Sequence, residues 1–283
     1  MYKKISILLM SFTLAHNSFS DNVEGSLSSS DLYKLGYQFD VGIDQEADQA
    51  KAHTYYQKAA TKGYAEAQYK LGRLYYSGDI DGKADFAKAF DWFSKAAEQE
   101  HAAAIWAIGY MYEYGSGRDK SAKEAFAWYL KSAELGYKDA QVSVAGMYLS
   151  GIGIEKDPKK SFYWYLKAAF QGDQWAKVLV SISYANGIGI ETNKYMAFNW
   201  LKSASLDGFV PAQHLLGKAY QAGDGVIQNN KYAHVWYSLA AGGGSEEAYK
   251  AMRDLEDNIS EKEKSDAVGL AIRCNATEYS DCI

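Results

Sequence analysis

The chain has 283 residues, a formal net charge of −5, 48% hydrophobic and 23% charged residues, and only two prolines. This composition is typical of a folded globular protein and argues against a long disordered chain. Because the net charge is negative, the composition also argues against a nucleic-acid partner.

The N-terminal segment differs from the rest of the chain. Two basic residues, Lys3 and Lys4, precede the apolar stretch Ile5 to Ala15, and small residues follow before Asp21. This pattern is typical of a secretory signal peptide, with cleavage expected after Ser20 or, alternatively, after Ala15. We therefore predict a signal peptide at residues 1–20, a short segment at residues 21–29, and an exported protein in the periplasm or the medium. No other apolar run is long enough to predict a membrane span in the mature chain.

From residue 30 onward, alanine, glycine and aromatic residues return every 36 or 37 positions. Three columns in a fixed register predict a repeated unit that buries its apolar face against its neighbours, which is a solenoid at residues 30–250. The columns are Tyr75, Tyr112, Tyr148, Tyr184 and Tyr220; Tyr55, Trp92, Trp128, Trp164, Trp200 and Trp236; and Gly63, Gly136, Gly172, Gly208 and Gly244, the last column being broken at Glu100.

Each unit contains a first helix, predicted near Ala67 to Tyr76 in the best-defined unit. Ala67, Leu71 and Leu74 share one helix face, which we expect to be buried. Gly72 would allow close approach of the second helix, and Gly78 would end the first. These small residues therefore predict that the two helices of each unit pack closely together.

A second helix follows in each unit after a loop with paired glycines, as in Gly151 to Asp157. Asp157 is the predicted N-cap, and Trp164, Tyr165 and Ala168 share a face that we assign to the core rather than to a cofactor site. A nucleotide-binding loop is disfavoured because these loops follow helices and lack the sequence GK[ST].

The combined pattern, A-x-x-x-L-G-x-x-Y-x-x-G-x-G followed by D-x-x-K-A-x-x-W-Y-x-K-A-A-x-x-G, resembles the Sel1-like repeat family, which is related to the tetratricopeptide repeats. The resemblance covers about residues 30–250. It implies an all-α, right-handed α/α superhelical solenoid of about six helix-pair repeats. A C-terminal capping helix and tail would follow at residues 251–283.

The resemblance also implies a function, because such solenoids are typically adaptors that bind a protein or peptide in a concave groove. The groove would be formed by the first helices, at positions two before, two after and five after the leucine of each Leu-Gly pair. An alternative is that many of these side chains only pack between repeats. The positions are Tyr33, Tyr37, Tyr69, Arg73, Tyr76, Trp106, Tyr110, Glu113, Val142, Gly146, Leu149, Val178, Ile182, Ala185, His214, Lys218 and Gln221.

Other functions have less support in the sequence. A periplasmic protein that binds glycan or peptidoglycan through stacked aromatic rings is one alternative. A β-lactam-binding or β-lactam-hydrolysing enzyme is another, but the branch of the family associated with that activity carries cysteine pairs within its repeats. Here the chain has no Ser-x-x-Lys and no His-Glu-x-x-His. We therefore predict no catalysis, no metal, no cofactor and a monomer.

The two cysteines, Cys274 and Cys282, both follow the last repeat. In an oxidising compartment a disulfide between them would close a small C-terminal loop. Two free thiols, or half of a metal site, are the alternatives. The disulfide agrees with the predicted export.

Overall fold

The computed structural model describes residues 27–43, 46–80, 82–280 and 282, and the predicted signal peptide lies outside them. Within these ranges the chain forms fourteen helices and no strand. Most helices have 13 residues, which matches the two helices expected for each repeat of about 36 residues. In chain order they are α1 Ser29–Val41, α2 Gln49–Thr61, α3 Ala65–Ser77, α4 Phe86–Ala97, α5 Ala102–Tyr114, α6 Ala122–Glu134, α7 Lys138–Ser150, α8 Pro158–Phe170, α9 Gln174–Asn186, α10 Lys194–Leu206, α11 Val210–Ala222, α12 Asn230–Gly242, α13 Glu246–Glu256 and α14 Glu261–Ala276.

The helices group into two compact units, which we call the N-terminal unit (described residues up to His101) and the C-terminal unit (from Ala102 onward). The N-terminal unit contains two helix pairs, and the C-terminal unit contains four. Consecutive helices pack against each other from α1 to α4 in the N-terminal unit and from α5 to α13 in the C-terminal unit, as a solenoid of helix-pair repeats requires. Both α13 and α14 pack against α12, so they cover the last pair as a cap.

The helix ends lie where the sequence predicts them. The side chains of Asp157, Asn193 and Asn229 each accept a hydrogen bond from a backbone N–H in the first turn of α8, α10 and α12. Gly78 adopts the left-handed conformation at the end of α3, and its N–H donates to the carbonyl of Leu74. The predicted N-cap at Asp157 and the predicted C-cap at Gly78 are therefore confirmed, and Asn193 and Asn229 cap their helices in the same way. These caps satisfy backbone groups that the helix leaves unpaired.

A glycine on the first helix allows a ring of the second helix to pack against the backbone. At Gly109, an added Cβ would lie 2.7 Å from Cδ1 of Tyr129, and that ring is 1% exposed. This is tighter than carbon atoms tolerate. The small residue predicted for close approach is thus required by an aromatic side chain. The same relation holds for Gly36 with Tyr56, Gly72 with Phe93, and Gly217 with Tyr237.

The most buried aromatic residues come one position after the tryptophan column in the sequence. Trp164 and Trp236 are buried, but Trp92 and Trp128 are only half-buried. The residues that follow, such as Phe93 and Tyr129, are the ones enclosed between the helices. Trp92 and Trp128 therefore lie at the edge of the core.

Cys274 and Cys282 form a disulfide that joins the end of α14 to the tail. Both cysteines are fully buried, in the same hydrophobic cluster as Leu255 of α13 and Trp236 of α12. The bridge therefore holds the tail against the cap.

Candidate functional site

In the N-terminal unit, the predicted groove side chains lie on α1 and α3 and mostly pack against neighbouring rings. Tyr33 lies 5.4 Å from the ring of Tyr56, and Tyr69 lies 4.9 Å from the ring of His101. Burial raises the pKa of Tyr33 to about 12. By contrast, Tyr37 is 49% exposed. The other two predicted residues of this unit are Arg73 and Tyr76. Arg73 is exposed, and the ring of Tyr76 contacts that of Phe86.

In the C-terminal unit, three aromatic side chains follow one another along one face of α5. The ring centroids of Trp106 and Tyr110 are 5.4 Å apart, and those of Tyr110 and Tyr114 are 4.4 Å apart. Tyr114 is 59% exposed and was not among the predicted residues, although its spacing of four from Tyr110 would have placed it on this face. We call Trp106, Tyr110 and Tyr114 the α5 aromatic ladder.

The buried end of the ladder is also part of the packing between repeats. The indole N–H of Trp106 donates to Oγ of Ser143 on α7, at 3.2 Å, and its ring lies 6.2 Å from that of Tyr129. Substituting Trp106 would therefore disturb the fold as well as the surface. Tyr110 and Tyr114 are the better probes of recognition.

Two predicted groove residues accept hydrogen bonds from tyrosines of the second helix. The hydroxyl of Tyr129 donates to Oε2 of Glu113 at 2.6 Å, and the hydroxyl of Tyr237 donates to Oε1 of Gln221 at 2.7 Å. Burial raises the pKa of Tyr237 to about 12. These pairs are 16 residues apart, so they tie the end of one helix to the middle of the next. Glu113 and Gln221 therefore have structural contacts whether or not a partner binds.

The remaining predicted residues divide between core and surface. Val178 on α9 is 2% exposed and lies in the core, whereas Ile182, one turn later, is 38% exposed. His214 on α11 is half-buried beside the ring of Tyr237, and burial, with the nearby charge of Lys218, lowers its pKa. The others are Val142, Gly146 and Leu149, which are half-buried on α7, and Ala185, Lys218 and Gln221, which are exposed.

A cleft with a volume of 420 Å³ lies between α9, α10 and α11. Its floor includes Phe198 and Leu215, and the predicted residues Ile182 and Lys218 line it. We call it the α9–α11 cleft. Its volume is in the range of ligand pockets, and an apolar floor with a charged rim suits an apolar side chain of a peptide. At the rim, Lys194 and Asp224 form an ion pair at 3.0 Å.

The described residues provide neither a metal-binding cluster nor a membrane-spanning helix. Within those ranges there is no group of three or more His, Cys, Asp or Glu side chains placed to hold a metal ion. None of the helices there combines the length and the hydrophobicity needed to cross a bilayer.

The family comparison matches the Sel1 repeat at six places. The matches cover residues 29–64, 65–101, 102–137, 138–173, 176–209 and 210–245. The first four begin at the first residues of α1, α3, α5 and α7 and end three or four residues after α2, α4, α6 and α8, and the sixth contains α11–α12. Among curated proteins, no sequence matches this chain.

Two solved structures are similar over most of the chain. The protein c5321, a protective antigen present in uropathogenic Escherichia coli strains and displaying an SLR fold, is 28% identical over 93% of this chain, with a TM-score of 0.79. This chain spans 56% of the length of that protein. A Sel1 repeat protein from Oxalobacter formigenes is 31% identical over 75% of this chain and 85% of its own, with a TM-score of 0.65.

Sel1 repeats generally mediate protein–protein interactions, and proteins built from them are typically scaffolds without enzymatic activity. The repeat matches account for nearly all of residues 29–245, and the helix pairs coincide with them. The chain therefore belongs to the Sel1 repeat family.

Proposed function

We propose that this protein is an exported bacterial scaffold whose first-helix surface binds an extended or helical peptide segment of a partner protein. The observation that carries the proposal is the apolar surface of the C-terminal unit, formed by the α5 aromatic ladder and the α9–α11 cleft. Partly exposed tyrosine and tryptophan side chains are among those that contribute most to the binding free energy of protein interfaces.

The cleft adds a requirement on the partner. Ile182, Phe198 and Leu215 provide an apolar surface, whereas Lys218 at the rim is exposed and positively charged. A peptide with an apolar anchor followed by an acidic residue fits this arrangement.

Export and a role outside the cytoplasm belong to the same proposal. The basic and apolar pattern of residues 1–20 supports export. The similarity to a protective antigen of uropathogenic Escherichia coli supports a location where a host is encountered. The disulfide of Cys274 and Cys282 is consistent with an oxidising compartment.

Affinity capture with residues 21–283 tests the proposal, using bacterial envelope extract and host-cell lysate. The test variant is Tyr110→Ala/Tyr114→Ala/Ile182→Asp. The matched control is Tyr163→Ala/Tyr195→Ala, which removes two exposed rings (49% and 66%) from the second helices α8 and α10. Circular dichroism would establish that both variants keep the helicity of the native chain.

We expect one or more proteins to be retained by the native chain and by the control but lost by the test variant. Equal retention by the test variant would refute the proposed surface. If no protein is captured and muropeptides bind instead, with binding lost in the test variant, the surface recognises glycan through ring stacking.

A further inference from the structure

The second helix of each repeat carries one side chain that packs against the first helix, and in the fifth repeat this side chain has no ring. The position returns every 36 or 37 residues. Its occupants are Tyr56, Phe93, Tyr129, Tyr165, Leu201 and Tyr237. Leu201 on α10 is therefore the one aliphatic residue in an aromatic column.

Two positions around this side chain also differ in the fifth repeat. Opposite the ring, the first helix has glycine or alanine in the other repeats, whereas α9 has Ser181. The hydroxyl of Ser181 donates to the carbonyl of Ala197 at 2.7 Å. In the third repeat the hydroxyl of Tyr129 donates to Glu113, and the residue of α9 at the position of Glu113 is Ala185. The fifth repeat thus lacks both the ring and the acceptor for its hydroxyl.

The α9–α11 cleft lies where this ring is missing. Leu201, Ser181 and Ala185 all line it. The cleft opens to the surface, because Ile182, Ala185 and Lys218 in its walls are exposed. Leu201 keeps 7% of its own surface accessible. A side chain of another molecule can therefore enter between these walls and reach Leu201.

We propose that the α9–α11 cleft binds the phenyl ring of a phenylalanine of the partner protein, in the place of the ring that the fifth repeat lacks. This inference rests on the function proposed above, because it names the anchor residue of the bound peptide. The other repeats show that the space between a first and a second helix accommodates an aromatic ring, as between Gly109 and Tyr129.

The walls of the cleft favour a phenyl ring over a phenol ring. Its buried part is formed by Ala197, Phe198 and Leu201, which are apolar, and by Ser181, whose proton is already donated to a carbonyl. A tyrosine would bury its hydroxyl there without the carboxylate that Glu113 provides in the third repeat, and an unpaired buried hydroxyl weakens binding. The ring of Phe198 adds an aromatic contact for the phenyl ring.

The charges at the rim indicate the residue beside the phenylalanine. Lys194 and Asp224 neutralise each other in an ion pair at 3.0 Å. Lys218 is exposed, and no carboxylate of the described residues forms an ion pair with it. An acidic residue next to the phenylalanine would be complementary to this charge. A phenylalanine followed by a glutamate therefore fits both the cleft and its rim.

The test is a titration of the ¹³C-methyl-labelled chain, followed by the methyl signals of Ile182, Leu201 and Leu215. Four probes are compared: Ac-Phe-Glu-NH₂, Ac-Leu-Glu-NH₂, Ac-Tyr-Glu-NH₂ and Ac-Phe-Lys-NH₂. For Ac-Phe-Glu-NH₂ we expect a dissociation constant on the order of a millimolar. The leucine and tyrosine probes should bind more weakly by about threefold or more. The lysine probe should be weaker by about two- to fivefold, because the ion pair with Lys218 is exposed.

Two variants complete the test. Ser181→Gly/Leu201→Phe copies the pair of Gly72 and Phe93 from the second repeat, so it fills the cleft with a ring of the chain itself and should lose the response. The matched control is Tyr195→Ala, which removes a ring on α10 that is 66% exposed and lies outside the cleft lining. The control should bind Ac-Phe-Glu-NH₂ as the native chain does. Circular dichroism would establish that both variants are folded.

Three results would overturn the inference: another probe binding as tightly as Ac-Phe-Glu-NH₂, no response at tens of millimolar, or undiminished binding by the folded double variant. If the double variant does not fold, the comparison of probes on the native chain decides alone. The titration contains no partner protein, so its outcome is separate from that of the affinity capture. Capture of a partner without a probe response would overturn this inference alone, whereas a selective probe response without any captured protein would support the ring site and count against the proposed scaffold.

Discussion

Gly109→Ala and Gly146→Ala are the same substitution in the first helices of neighbouring repeats, and the structure predicts opposite effects on stability. At Gly109, a Cβ would lie 2.7 and 2.8 Å from two ring carbons of Tyr129, and 3.2 Å from the carbonyl of Ala125. At Gly146, the nearest atom is the hydroxyl of Tyr165, at 3.6 Å, which is an ordinary contact.

The ring of Tyr129 cannot move away from the new methyl group. It is 1% exposed, and its hydroxyl is held by Glu113 at 2.6 Å. Overpacking at a pinned site costs about 2–3 kcal/mol, at the upper end of the usual range. Alanine recovers about 1 kcal/mol of helix propensity relative to glycine. The free energy of unfolding should therefore fall by about 1–2 kcal/mol in Gly109→Ala, and rise by up to about 1 kcal/mol in Gly146→Ala.

Thermal and urea denaturation of the full chain, followed by circular dichroism, measure the difference. For a unit of this size, 1 kcal/mol corresponds to a shift of about 2–4 °C in Tm. We expect Gly109→Ala to melt below the native chain and Gly146→Ala to melt at or above it. A Gly109→Ala variant as stable as Gly146→Ala would show that the helices separate easily, and the argument for tight ring packing would be wrong.

Three further predictions concern other contacts. Glu100 has a φ of 57° at the position where the other repeats have glycine, so its backbone is strained by about 1 kcal/mol. Glu100→Gly should relieve this strain and raise the urea midpoint of unfolding. An unchanged or lower midpoint would contradict the prediction. His101 donates to Glu66 at 2.8 Å and lowers the pKa of that carboxyl below 4.5. The resulting stabilisation is complete above pH 4.5 and is lost as the pH falls through the lower folded-state pKa. Glu66→Gln should accordingly show a smaller loss of stability in acid, and an equal loss would argue against the contact. Reduction of the Cys274–Cys282 disulfide should lower the stability of the cap by about 2–3 kcal/mol, measured as a fall in Tm with a thiol reductant; no change in Tm would mean that packing alone holds the tail.

The proposed partner-binding surface could be predicted from the sequence only in part. The residues selected by the rule for groove positions lie on the first helices, and Tyr37 and Ile182 are exposed there. However, it also selected Val178, which is in the core, and it omitted Tyr114. Position along a helix determines the direction of a side chain, but its exposure depends on how large the neighbouring residues are.

The sequence also could not show which of two adjacent aromatic columns is enclosed in the core. Trp128 and Tyr129 are adjacent, and both columns return every 36 or 37 residues, so periodicity cannot decide which of the two is enclosed. In the structure the ring of Tyr129 faces Gly109, because only there is the space of a missing side chain available. Trp128 is half-buried and lies at the edge of the core.

The sequence by itself determined the repeat, the all-α class and the helix ends, because these depend on the spacing of apolar residues and on capping by nearby side chains. Only the tertiary structure showed which side chains meet across about 30 residues. Nε2 of Gln171 donates to Oε1 of Gln141, whereas the buried Oε1 of Gln213 has no donor among the described residues. A buried acceptor without a donor lowers the stability of the fold, and its burial results from the packing of helices that are distant in the sequence.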